Sequence, residues 1–213
     1  MTEAFDAEAF ARETGVSRET LARLTCYLAL LEKWNPAINL VGRDTLSDAW
    51  RRHFLDSAQL QPLLPPPPAD RPLRLVDLGS GAGFPGLVLA ILGVGEVHLV
   101  ESDSKKCSFL REAARVTGTA VTLHNRRIEA LAPLKADVVT ARALAPLTAL
   151  ITLACPHLQH TGLGIFLKGR GVEEELTALP KAAKLAIERI SSRSDSESAI
   201  LRVGGISPCT FKI

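Results

Sequence analysis

The chain has 213 residues, with 25 Lys and Arg against 23 Asp and Glu, a formal net charge of +2. At 46% hydrophobic and 23% charged residues it can bury a core, which excludes global disorder. No run of about 18 uninterrupted apolar residues suggests a membrane span, and the acidic start MTEAFDAEAFARE does not read as a secretory signal.

Ser17 reads as the N-cap of a helix in which Leu21, Leu24, Leu28 and Leu31 recur at spacings of three and four. That helix is expected to stop near Asn35-Pro36, because proline disfavours a helical residue before it. A second helix is predicted from Thr45 to Leu60, with Leu46, Trp50 and Phe54 on one face. The stretch LLPPPPADRP (63–72) then interrupts the pattern, since consecutive prolines donate no backbone hydrogen bonds and favour an extended spacer. It divides an N-terminal helical extension (1–70) from a second domain (71–213).

Beyond the prolines the texture alternates. Strands are predicted at 73–78, 96–102, 120–125, 136–141 and 162–169, and helices at 86–93, 105–118 and 146–158. A late hairpin is predicted from 185–190 and 199–204. This alternation predicts an α/β fold with a doubly wound, mostly parallel sheet.

Four cysteines (Cys26, Cys107, Cys155, Cys209) lie far apart without CxxC spacing, so neither a disulfide framework nor a zinc knuckle is expected. The chain reads as reduced and cytoplasmic. His157 and His160 are too few to make a metal site, and none is expected. The first 70 residues carry seven basic and ten acidic side chains, whereas 101–150 carry eight and five. This modest basic bias permits nucleic-acid binding without requiring it.

Chemistry is expected at the carboxyl ends of the strands, where open α/β sheets bind ligands. The first strand ends in VDLGSGAGFPG (76–86), where Gly79, Gly81 and Gly83 allow tight backbone geometry. Gly81, Gly83 and Gly86 also satisfy GxGxxG, which would suit a nicotinamide dinucleotide. Against that reading, Phe84 and Pro85 occupy the helix start that a pyrophosphate would need free. Asp77 stands where a carboxylate can meet a cationic amino-acid moiety. Glu101, about 20 residues on, ends the next strand where it can accept both ribose hydroxyls. Glu101 suits either cofactor and so indicates a nucleoside without choosing one.

Six segments occur in order: NPAINLVGRD (35–44), RRHFLDS (51–57), VDLGSGAGFPG (76–86), NRRIEAL (125–131), DVVTARAL (137–144) and FLKGRG (166–171). Together they resemble the RsmG/GidB family, bacterial methyltransferases acting on guanine N7 of 16S ribosomal RNA. The resemblance implies a class I methyltransferase (Rossmann-like) fold with S-adenosylmethionine as cofactor. It implies cofactor contacts at Gly79 and Phe84, an Ile128-Glu129 pair flanking the adenine, and Arg142 at the mouth of the active site. With Gly81, Gly83 and Glu101 these form the expected cofactor site. Glu101 and Ala141 depart slightly from the family, where Asp and Ser are frequent.

Arg52, His53, Asp56, Arg142 and Lys168 are the substrate-site candidates, with Asn39, Arg51 and Arg170 nearby in sequence. Plainer readings of the same residues stand beside this one: an Arg52–Asp56 pair on a helix surface, His53 packed beside Trp50, Arg142 paired with a surface carboxylate. The expected partner is 16S ribosomal RNA or a small-subunit particle, bound by a monomer. Carbon methylation of a pyrimidine would need a thiol beside the cofactor, commonly in a Pro-Cys context, but Cys155 precedes its proline and Pro208-Cys209 lies at the tail, away from the fourth strand. The Asn/Asp-Pro-Pro-Tyr signature of amine methylation is absent as well. Guanine N7 needs neither group, because its lone pair carries no proton. Direct in-line transfer is therefore expected, with a methyltransferase of another substrate or a nicotinamide oxidoreductase as alternatives.

Overall fold

The computed structural model describes residues 5–180 and 184–207. Two helices open the chain, α1 (Ala7–Thr14) and α2 (Arg18–Ile38). Asp6 caps the first, accepting from the Ala9 N–H at 2.8 Å, and Ser17 caps the second, accepting from Thr20 at 3.2 Å. Helix α2 runs on past the predicted stop at Pro36. Glu32, whose carbonyl loses its donor, lies on the exposed face, while Leu31 and Asn35 anchor the buried one. Water can therefore satisfy the freed acceptor. Asn39, at φ 53°, ends the helix in the left-handed region.

The predicted helix over 45–60 forms only in pieces. They are α3 (Arg43–Leu46), a π-helical turn (Trp50–Leu55) and α4 (Asp56–Ala58). The wider π-turn spacing fits the fact that His53, Phe54, Leu55 and Asp56 are all buried, which a one-faced α-helix would not allow. Residues 65–68, the proline run, form no regular element.

The sheet holds β1 (Arg74–Leu78), β2 (Glu96–Val100), β3 (Thr122–His124), β4 (Ala136–Arg142), β5 (Leu158–Lys168), β6 (Ala186–Ser191) and β7 (Ala199–Gly204). Their order is β3-β2-β1-β4-β5-β7-β6, parallel from β3 to β5, with β7 antiparallel to both β5 and β6. Strand β5 is longer than expected because it also pairs Leu158 with Ala136 across a register shift. The helices α5 (Gly86–Ile91), α6 (Ser104–Val116) and α7 (Leu147–Ala154) follow β1, β2 and β4, and α8 (Val172–Thr177) follows β5. The last was not anticipated.

The sheet divides two buried clusters. Leu75, Leu99 and Ile165 face α5, α6 and the N-terminal helices, while Val76, Val139 and Phe166 face α7. Leu24, Tyr27, Leu31 and Phe54 belong to the first cluster, so the N-terminal helices share the core of the sheet domain. Arg23 ties α2 to the end of α6 by donating to the Thr117 carbonyl at 2.7 Å. The chain order reverses between β1 and β4, which places a switch-point crevice beside β1.

Candidate functional site

At that crevice the glycine turn is held from two sides. Glu101, at the end of β2, accepts the Gly81 N–H at 2.9 Å with one oxygen and the Asp103 N–H at 2.8 Å with the other. From behind, the Tyr27 hydroxyl donates to the Ala82 carbonyl. Gly83, at φ 97°, has no room for a side chain, since a Cβ there would stand 2.6 Å from the Tyr27 oxygen. Gly83 is therefore a packing position and lines neither of the cavities described below. Phe84 is buried, stacked on Tyr27 at 5.3 Å and on His53 at 5.0 Å between ring centroids.

Two cavities meet over this turn. The smaller, about 360 Å³, collects Glu101, Ile128 and Glu129 with Gly79 and Gly81. The larger, about 590 Å³, collects Arg52, His53, Asp56, Phe84, Arg142 and Lys168. Gly79, Gly81, Lys106, Arg142 and Ala143 line both, so the cavities share a wall. The cofactor candidates thus gather in one cavity and the substrate candidates in the other, apart from Gly83, Phe84 and the shared Gly79, Gly81 and Arg142.

Arg142 is the centre of the larger cavity. Its Nη1 lies 3.1 Å from the Arg52 carbonyl oxygen, 3.1 Å from His53 Nδ1 and 3.2 Å from Asp56 Oδ2. The guanidinium carbon sits 5.1 Å from the Phe84 ring centroid. Asp56 is itself fixed, accepting from the Ser194 hydroxyl at 2.6 Å and from Gln59 Nε2 at 3.1 Å. Arg142 therefore pairs with a buried carboxylate, which replaces both the surface pairing and the expected Arg52–Asp56 pair. Arg52 turns instead to Asp195 in the β6–β7 turn, at 3.2 Å.

His53 does more than pack beside Trp50. Because Arg142 can only donate to Nδ1, the imidazole proton belongs on Nε2, 2.9 Å from the Thr45 hydroxyl. Burial, with the Arg142 and Arg52 charges, depresses its pKa to about 3. As pH falls below 6.5 the unfolded imidazole takes up a proton while the folded one does not. The stability His53 contributes above pH 6.5 is therefore lost progressively toward about pH 3. In NMR titration its ring shifts are expected to stay flat from about pH 8 down to about pH 5; a midpoint near 6.5 would refute the neutral assignment.

Asp77 does not reach either cavity. It is 1% exposed, accepting from the Thr140 hydroxyl at 2.8 Å and the Gly86 N–H at 3.3 Å. Burial raises its carboxyl to about 6, against those donors. The expected contact with a cationic moiety is replaced by a brace between β1, β4 and the start of α5. Lys168 is also largely consumed: its ammonium meets the Ala145 carbonyl at 2.9 Å and Glu175 at 2.7 Å. Arg170 is exposed, Arg51 lies over Phe5, and Asn39 serves the end of α2.

Among the described residues no cluster fit to hold a metal occurs, and no cysteine lines either cavity. Cys209 lies outside the described residues. Lys106, Glu175, Ser194 and Asp195 were missed by sequence reasoning. Only Lys106 left a trace there, as a cation in the first turn after the β2 acid. No helix among the described residues is long and apolar enough to cross a membrane.

Comparison with known proteins agrees with this architecture. A ribosomal protein L11 methylase from Lactobacillus delbrueckii subsp. bulgaricus superposes with TM-score 0.52 at 22% identity, over 64% of this chain and 71% of that one. A fibrillarin/Nop5p complex superposes with TM-score 0.55 at 16% identity, over 72% and 81%. These show the fold. The ribosomal RNA small subunit methyltransferase G of Rhodospirillum rubrum is 58% identical over 199 residues, covering 93% of this chain and 97% of its own. That of Paramagnetospirillum magneticum is 58% identical over 195 residues, covering 92% and 93%. The family model described as rRNA small subunit methyltransferase G matches residues 20–198. By that match and these identities the chain belongs to the rRNA small subunit methyltransferase G family.

Proposed function

We propose that this chain transfers the methyl group of S-adenosylmethionine to N7 of a guanine in 16S ribosomal RNA, without a covalent enzyme intermediate. The observation that carries this reading is the shared wall of the two cavities at Gly79, Gly81, Lys106, Arg142 and Ala143. It would let a nucleoside cofactor in one cavity present its reactive end to a base in the other. The residues fit such a cofactor. Both Glu101 oxygens retain an acceptor lone pair after binding Gly81 and Asp103, and these suit the two ribose hydroxyls. Ile128 and Glu129 would border the adenine, and Gly79 and Gly81 leave backbone open to the methionyl chain. When bound, the cofactor supplies an electrophilic sulfonium methyl group.

The protein's part is then positioning and electrostatics. His53, held neutral and hydrogen-bonded at both nitrogens, orients Arg142 and is no general base. Arg142, Arg52 and Lys168 are each matched by a carboxylate, at Asp56, Asp195 and Glu175. The larger cavity is therefore less cationic than its arginines suggest, which suits a reaction that leaves positive charge on the base. In this reading residues 71–213 carry the cofactor, and the helical extension 1–70 supplies part of the base pocket and props the glycine turn through Tyr27. The protein acts as a cytoplasmic monomer on ribosomal RNA or a small-subunit particle.

Mass analysis of 16S ribosomal RNA from cells lacking the protein tests this directly. One N7-methylguanosine should be missing and should return on complementation; an unchanged methylation pattern would overturn the assignment. Replacing all four cysteines with Ala or Ser, in a variant shown to fold, should leave methyl transfer at or near the wild-type rate. A protein–RNA adduct trapped in the wild type would contradict direct transfer.

A further inference from the structure

We infer that Glu175, on α8, is a positioning residue for the loop that walls both cavities. This rests on the two-cavity reading above. The loop is Ala143–Pro146, between β4 and α7. Ala143 lines both cavities, while Leu144 and Ala145 line the smaller one. Leu144 presses on the glycine turn so closely that a Cβ at Gly79 would stand 2.7 Å from its Cδ1. The position of this loop therefore sets the shape of the cofactor cradle.

Nothing within the loop explains its conformation. Ala143 has φ 50°, a left-handed value that a residue with a Cβ rarely adopts and that persists only when its surroundings impose it. Pro146, at the start of α7, offers no side-chain cap. The constraint comes from a node outside the loop. Lys168 Nζ, at the end of β5, donates to the Ala145 carbonyl at 2.9 Å and pairs with Glu175 Oε2 at 2.7 Å. The same Glu175 oxygen accepts the Leu147 N–H at 2.6 Å. One carboxylate thus fixes both ends of the turn, holding the amide at the start of α7 and the ammonium that grips the Ala145 carbonyl.

Glu175 sits in an acidic run whose other members face outward. Glu173 pairs with Arg189 at 3.0 Å on the surface, and Glu174 is exposed. The Lys168 side chain, only 9% exposed, relies on Glu175 for its counter-charge. Glu175 therefore neutralises Lys168 and positions the loop, and these two roles separate in a pair of variants.

In Glu175→Gln, Lys168 loses its counter-charge and the Leu147 N–H exchanges a charged acceptor for a neutral one, so the loop is held more weakly. Calorimetry with S-adenosylhomocysteine should show affinity reduced about tenfold, and kcat for ribosomal RNA methylation should fall by about tenfold or more. In Lys168→Met/Glu175→Gln the uncompensated charge is gone, so Tm should recover toward wild type. Affinity and kcat should not recover, because the change at Lys168 removes the Ala145 carbonyl's donor and the Leu147 N–H has lost its charged acceptor. The idea is overturned if Glu175→Gln binds and methylates within about twofold of wild type. It is also overturned if the double variant regains turnover together with Tm, since Glu175 then only neutralises Lys168. The double variant keeps the test open if Glu175→Gln alone does not fold. Absence of ribosomal RNA methylation by the wild type would instead refute the proposed function, and calorimetry would still decide the role of Glu175.

Discussion

Glu101→Ala is expected to weaken binding of S-adenosylmethionine by about 1.5–3 kcal/mol, or about one to two orders of magnitude in Kd. The ribose hydroxyls would lose a charged acceptor, which alone accounts for that range. The free protein would change as well, because the Gly81 and Asp103 N–H groups lose the acceptor they have now at 2.9 and 2.8 Å. Glu101 is buried, so both amides would depend on water entering the vacated space. Glu101→Gln separates these effects. Its single amide oxygen can serve only one of the two N–H groups, so it should bind more weakly than wild type despite its matching shape. Unchanged affinity in Glu101→Ala, measured by calorimetry on folded protein, would remove Glu101 from the cofactor site. Tighter binding of NAD than of S-adenosylmethionine by the wild type would do the same for the cofactor itself.

Legibility in the sequence followed the range of the interactions involved. The centre of the sheet is readable because β1, β2 and β4 are short runs of mostly apolar, buried residues. The hairpin came out within a residue, at Ala186–Ser191 and Ala199–Gly204. The family resemblance points to Gly79, Ile128 and Arg142, and the strand-end position points to Glu101; the carboxyl-end rule adds only that these ends meet, and all four line the smaller cavity. What failed was local periodicity applied where tertiary contacts decide the backbone. The segment 45–60 has helical spacing, yet Arg142 at the end of β4 and residues 192–195 of the β6–β7 turn bond to it, and it widens into a π-turn. Asp77 looked like a ligand because it stands at a strand end, but its neighbours Thr140 and Gly86 lie 63 and 9 residues away. The link between Asp56 and Ser194 spans 138 residues, and no motif in the turn SSRSDSES announces it.

The same long-range network makes Arg142 the most sensitive position in the larger cavity. In Arg142→Met, Asp56 keeps Ser194 and Gln59 but loses its cationic partner, with its side chain only 12% exposed. Removing one partner of a buried ion pair costs about 3–5 kcal/mol, so a marked fall in Tm is expected. His53 would also lose the donor at Nδ1, and the Arg52 carbonyl its guanidinium. Pairing the change with Asp56→Asn should restore much of the stability, because no buried charge is then left alone. Turnover is a different matter. Arg142 lines both cavities and lies over Phe84, so its guanidinium should hold cofactor and base in register. Methylation of ribosomal RNA by Asp56→Asn/Arg142→Met should therefore stay about a hundredfold or more below wild type, as expected for loss of reactant alignment. Arg142→Lys, which keeps the charge but not the planar fork, should fold better than Arg142→Met and remain strongly impaired in kcat. His53→Ala should follow the same pattern more mildly, since its ring stacks on Phe84 and orients Arg142. Arg52→Ala, by contrast, breaks only the half-exposed pair with Asp195 and should leave cofactor affinity intact while raising KM for RNA. Wild-type turnover in the stabilised Asp56→Asn/Arg142→Met variant would show that Arg142 supports the fold and takes no part in methyl transfer.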